Sequence, residues 1–217
     1  MMNWGALITA DDGTQFITDE STPISLQGIY TASGSNTVTQ VIPYDTSDVV
    51  LPFCVSTGNN FFAYGISGNT IQVTAQASDT DSSPFTFSVY LFTTRAQPVP
   101  SWGVAIWDRN GKCILTNETK VLTDIQNQGT KGTNDSGLGM SRTLPGKWAI
   151  LPEVAGYIVG VIQQRPFQIG IGFASRYDGA NTYIVPVQSS SIPAGGQPTG
   201  SLDAKTVVRA INVSRYE

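Results

Sequence analysis

The chain has 217 residues, is 40% hydrophobic and only 13% charged, and carries a formal charge of −4; an average soluble domain is roughly 25% charged. So many apolar residues exclude a disordered tail, and scattered Lys and Arg with no basic stripe exclude a general nucleic-acid partner. With no histidine and only two cysteines, Ser-His-Asp and Cys-His triads, His-ligated zinc or haem and Cys-based metal sites are excluded too, so the chain reads as a non-enzyme without a cofactor.

The first element is a hairpin: strand Trp4 to Ala10, turn Asp11-Asp12-Gly13, strand Thr14 to Thr18. Its sequence lies without a gap over residues 101–119, at an offset of 98, with Trp4 on Trp102, Gly5 on Gly103, Ile8 on Ile106, Gly13 on Gly111 and Glu20 on Glu118. Two Trp-Gly pairs in matching frames point to an internal duplication. Asp12-Gly13 and Asn110-Gly111 are the dipeptides a type I′ turn asks for, because both central residues need positive φ. Trp4 and Trp102 are expected to anchor the core of each copy.

Strands are predicted next over 37–42, 49–55, 61–66, 70–75 and 85–93. The run from Phe85 alternates, with Phe87 and Val89 on the same face. The polar loop 78–84 holds Asp79 and Asp81, which like Asp11 and Asp12 could be oxygen ligands of a hard cation; a solvated turn is the plainer reading. Gln97-Pro-Val-Pro100 reads as a stiff linker.

The second half repeats the hairpin at 102–116 and then enters a long polar stretch, 126–139. Lys147-Trp-Ala-Ile-Leu-Pro152 answers Asp48-Val-Val-Leu-Pro52, and strands follow at 156–162, 167–174 and 182–188. A Ser/Gly/Pro-rich loop, 189–200, precedes the closing strand within 205–214. Short strands, frequent turn signals and no helical periodicity predict an all-β protein. It is read as two tandem antiparallel β-sandwiches, immunoglobulin-like or jelly-roll-like, residues 1–97 and 98–217. Cys54 and Cys113 occupy non-equivalent repeat positions and are expected as buried thiols. Loops 126–139 and 189–200 are expected to order only against a neighbour.

No apolar segment approaches the roughly 20 residues a membrane helix needs, so no membrane insertion is expected. The opening residues lack the basic and apolar regions of a signal peptide. Synthesis in a cytosol follows.

Three aromatic residues stand apart from the shared core recipe. Trp107 has Thr9 in its place in the first copy, which makes it a candidate interface or sugar-stacking residue. Tyr177 and Tyr183 flank the loop tip Asp178-Gly179-Ala180-Asn181 and are candidates for the same contacts.

The opening pattern, Trp-Gly-x-x-Ile, then Asp/Asn-Gly, then Ile/Leu-Thr-Asn/Asp-Glu, with a hydrophobic closing strand Val207-Val-Arg-Ala-Ile-Asn-Val213, resembles small tail proteins of tailed bacteriophages. The resemblance covers the hairpins and closing strands, and the pattern usually occurs once per chain. It implies a structural component of the virion, made in the bacterial cytoplasm and placed at the tail tip or fibre attachment point. Its partners would be other tail or fibre proteins, in a homo-oligomer such as a ring or trimer, and no catalytic residue comes with it. Two other readings stay open: a receptor-binding module that recognises host glycan through Trp107 and Tyr177, and a capsid head-decoration protein.

Overall fold

The computed structural model describes residues 22–77 and 83–217, together with the backbone at 8–9 and 15–17. In chain order its strands begin with β1 (Ile8–Thr9), β2 (Gln15–Ile17), β3 (Ser25–Gly34), β4 (Thr37–Pro43), β5 (Val50–Ser56) and β6 (Asn60–Ser67). Then come β7 (Thr70–Ala77), β8 (Phe85–Thr93), β9 (Ala105–Trp107), β10 (Cys113–Thr116), β11 (Gln126–Gln128) and β12 (Arg142–Pro145). The last are β13 (Trp148–Ile150), β14 (Val154–Ile162), β15 (Arg165–Tyr177), β16 (Asn181–Gln188), β17 (Gln197–Asp203) and β18 (Val208–Asn212). The fold is all-β, relieved among the described residues only by short 3-10 turns at Gly137–Gly139 and Val213–Arg215.

β5 is the hub. One edge pairs with β8 over its whole length, and β3 adds on beyond β8. The other edge splits: Cys54 pairs with Ile150 of β13, and Ser56 pairs in parallel with Arg176 of β15. One branch continues through β13 and β18 to β11, and the other carries β15 with β14, β16 and β17. The two Leu-Pro segments that answer each other in sequence thus become neighbours in space. Strands from both sides of the 97–98 boundary share this sheet.

The core follows from alternation along β8. Phe87, Val89 and Leu91 point to one face, where Cys54, Ile150, Phe173 and Ala210 meet Ile42, Phe62, Ile71 and Val73 of the separate sheet β4–β7–β6. Tyr90 and Phe92 point the other way, among Phe53, Val55, Leu151, Ile211 and Tyr216. With both faces covered, β8 is buried nearly throughout. Each large apolar side chain buried this way contributes about 1.5–3 kcal/mol. Gly172 of β15 is glycine because the Phe61 ring would lie 2.7 Å from a Cβ there.

Several expectations meet corrections. Gln97, expected in a linker, is buried; its Nε2 donates to Ser25 Oγ (2.8 Å) and its N–H to Cys113 O (2.7 Å). The stretch 126–139 is tied down within the chain. Gln126–Gln128 pair with β18, Gly137 N–H donates to Thr206 O (2.8 Å), and Asp203 Oδ1 accepts from Leu138 N (3.0 Å) and Lys205 N (2.9 Å). Part of 189–200 is strand β17, paired with β14. Both stretches thus carry backbone partners within the chain itself.

The turns are corrected as well. At 108–112 only Gly111 has positive φ (+79°), and its N–H donates to Asp108 O (3.1 Å). That is a type I turn closed by a left-handed glycine, not type I′. The two-residue loop with both φ values positive lies between Ile162 and Arg165, at Gln163 (+47°) and Gln164 (+65°). The turn at Asp12-Gly13 lies outside the described residues.

Candidate functional site

The hairpin β9–β10 forms a two-stranded sheet of its own. Cys113 pairs with Trp107 and Leu115 with Ile106; under the offset of 98 these are the positions at which Gln15 pairs with Thr9 and Ile17 with Ile8. The two hairpins therefore share a register, including the irregularity between the pairs. Gly103 adopts φ +116°, and a Cβ there would lie 2.1 Å from Asn117 Oδ1, which accepts from Val104 N–H (3.2 Å). The glycine of the Trp-Gly pair is thus set by a turn that only glycine adopts readily next to the Asn117 amide.

In this hairpin Cys113, Ile114 and Thr116 of β10 are buried. On β9 and in the lead-in before it, apolar side chains are open to solvent. Trp102 is 77% exposed, Trp107 49%, and Val99 and Val104 are exposed beside them in the chain. The expectation that Trp102 anchors a core is therefore overturned: β9 begins only at Ala105, so Trp102 precedes the strand and has no sheet to pack on. Trp4 lies outside the described residues. Among the described residues the buried tryptophan is Trp148, outside the duplicated hairpin, 8% exposed, with its indole N–H on Pro145 O (2.9 Å).

Beneath the hairpin a cleft of about 170 Å³ is lined by Arg95, Gln97, Pro98, Thr116, Glu118 and Lys120. Arg95 Nε is buried there without a hydrogen-bond partner. Such a donor costs about 1–3 kcal/mol, a cost that packing elsewhere must offset.

Tyr177 and Tyr183 sit on the β15–β16 hairpin, in a different sheet from Trp107. Both are committed to that hairpin. Tyr177 Oη donates to Gly179 O (2.6 Å), and Tyr183 Oη donates to Asp178 Oδ2 (2.9 Å) under the Arg176 guanidinium, which lies 4.4 Å from the ring centroid. The N–H groups of Asn181 and Ala180, then the Tyr183 hydroxyl, hold the Asp178 carboxyl below the usual range, and the same Asp178 bond raises the Tyr183 phenol. These contacts build a turn. Trp107, Tyr177 and Tyr183 are not gathered into one site, and none lines a described depression.

Among the described residues no group of three His, Cys, Asp or Glu is placed to hold a metal. Asp11, Asp12, Asp79 and Asp81 lie outside them. Cys54 and Cys113 are both buried and form no disulfide, and burial pushes the Cys54 thiol well up. No helix among the described residues is long and apolar enough to cross a membrane.

What the sequence missed is the exposure around Trp102. Pro98 and Pro100 were the available signal, since proline holds the lead-in off a sheet ladder. Comparison with protein-family models, curated proteins and solved structures finds no match for the chain.

Proposed function

We propose that this chain is a non-enzymatic structural protein of a bacteriophage tail, an adaptor at the tip or fibre attachment point that works through protein–protein contacts. The observation that carries the docking part is the exposed set Val99, Trp102, Val104 and Trp107, on β9 and in the lead-in to a hairpin whose second strand, β10, is largely buried. Tryptophan is over-represented among residues that dominate binding energy, and an apolar anchor on a supported hairpin suits insertion into a neighbour's groove. The phage assignment rests on the sequence resemblance. The shared register of β1–β2 and β9–β10 supports descent of the hairpins from one duplicated unit. The sheet β4–β7–β6 facing β3–β8–β5 supports a sandwich-like first half. In this reading the protein is made in the bacterial cytoplasm, joins the virion, and repeats around the tail as a ring or trimer.

The test is binding of the purified chain to purified tails of the encoding phage, compared with its Trp102→Ala/Trp107→Ala variant. The variant should bind about 30-fold more weakly, as loss of a dominant contact implies, while its Tm stays unchanged. Equal binding by both proteins would sink the docking role. Binding to empty capsids in place of tails would identify a head-decoration protein.

A further inference from the structure

A depression of about 500 Å³ opens at the base of β14, where Lys131, Glu153, Val154, Tyr157, Val207 and Arg209 converge from separate parts of the chain. Its size is in the range of small-molecule sites, and its make-up, apolar surface with a few placed polar groups, is theirs as well. The site is built before any ligand arrives. Arg209 donates to Glu153 through Nε (2.8 Å), a terminal guanidinium nitrogen and its backbone N–H (3.2 Å), fixing the carboxylate. Thr206 Oγ1 donates to Val154 O (2.5 Å), and the loop carrying Lys131 is tied by Gly132 N–H to Lys205 O (3.3 Å) and by Gly137 N–H to Thr206 O.

Charge then narrows the ligand. Glu153 is matched by Arg209, whereas Lys131 is exposed and has no ion-pair partner among the described residues. The depression therefore offers one uncommitted cation. The Glu153 carboxylate, held in place, keeps lone pairs for hydroxyl donors, and the Tyr157 ring with Val154 and Val207 provides surface for C–H groups. A ring with an apolar face, hydroxyl donors and one negative charge meets all three demands.

We infer that this depression binds an acidic saccharide, with its ring against Tyr157 and Val207, a hydroxyl on Glu153 and its carboxylate on Lys131. This site is separate from the tryptophan hairpin and does not depend on it. It also differs from Trp107, Tyr177 and Tyr183, the aromatics the sequence offered for sugar contact.

Saturation-transfer NMR with N-acetylneuraminic acid and galacturonic acid, against galactose, tests the inference. Transfer is expected from at least one acidic sugar, with galactose bound more weakly. Lys131→Glu, on an exposed side chain, should weaken that sugar about tenfold or more, the effect of losing a charge-assisted contact. Tyr157→Ala with an unchanged Tm should abolish transfer, and Trp102→Ala/Trp107→Ala should leave it intact. The inference is overturned by silence from both acidic sugars, by binding that survives Tyr157→Ala, or by affinity indifferent to Lys131→Glu. Loss of tail binding with sugar binding retained, or the reverse, would separate the two sites.

Discussion

Trp148 and Trp102 are the same side chain under opposite constraints. Trp148 sits on β13 at the seam where both halves of the chain meet. Its N–H donates to Thr182 Oγ1 (2.9 Å), its carbonyl accepts from Ser175 Oγ (2.7 Å), and its ring packs with the larger core cluster. Trp102 precedes β9, in the lead-in to its hairpin, and is left to solvent. Their local sequences are comparably apolar, so what separates them is whether a sheet arrives on the exposed face. Burial here is decided by tertiary neighbours, and a tryptophan left outside is available for a partner.

The largest effect that would sharpen this comparison is at the seam. Trp148→Ala should cost about 3–5 kcal/mol, the range for emptying a large buried aromatic site, read as a lower midpoint in urea denaturation. A cost no greater than that of Trp102→Ala would break the contrast.

The other core cluster gives a pH signature. Burial, followed by the 2.6 Å hydrogen bond to Glu217, pushes the Tyr90 phenol far up. A folded-state value above the unfolded one means the stabilisation is fully present below about pH 10, the unfolded value for tyrosine, and is lost as pH rises beyond it. Tm should fall with increasing slope above that point, and Tyr90→Phe should flatten the fall. An unchanged slope in the variant would show that Tyr90 is not the group responsible.

The smallest effect belongs to an exposed tip. Gln163 and Gln164 hold left-handed φ with side chains that disfavour it, so Gln163→Asn with Gln164→Gly should add about 1 kcal/mol. Thermal unfolding would show it; a drop in Tm would mean that the glutamine side chains stabilise the turn.

Much of the strand pattern was legible because chemistry and burial coincide along it. β4, β7 and β8 follow their alternating runs to within a residue or two of the expected limits. β3 was missed because Ser25-Leu-Gln-Gly-Ile-Tyr-Thr-Ala-Ser-Gly34 lacks a strong apolar face. Thr31 and Ser33 instead meet Ser88 and Thr86 through hydroxyl–hydroxyl bonds of 2.9 and 2.7 Å. β17 was hidden in a Ser/Gly/Pro-rich stretch because its partner β14 supplies the ladder. The turn at 163–164 carried no sequence signal, since hairpin geometry imposed it on residues that do not favour it. The depression at Tyr157 was illegible for another reason: Lys131, Glu153 and Arg209 lie far apart in the chain and converge only after folding.

The split edge of β5 has a consequence for how the chain is made. Phe53, Val55, Tyr90 and Phe92 leave the ribosome early, yet Leu151, Ile211, Val213 and Tyr216, which cover them, come much later. Contacts between residues so distant in sequence slow folding. Until those residues are made, the aromatic face has Ile24, Leu26 and Leu51 beside it but lacks its later cover, leaving surface that chaperones or a neighbouring nascent chain can reach. The face is closed only once β18 has been made.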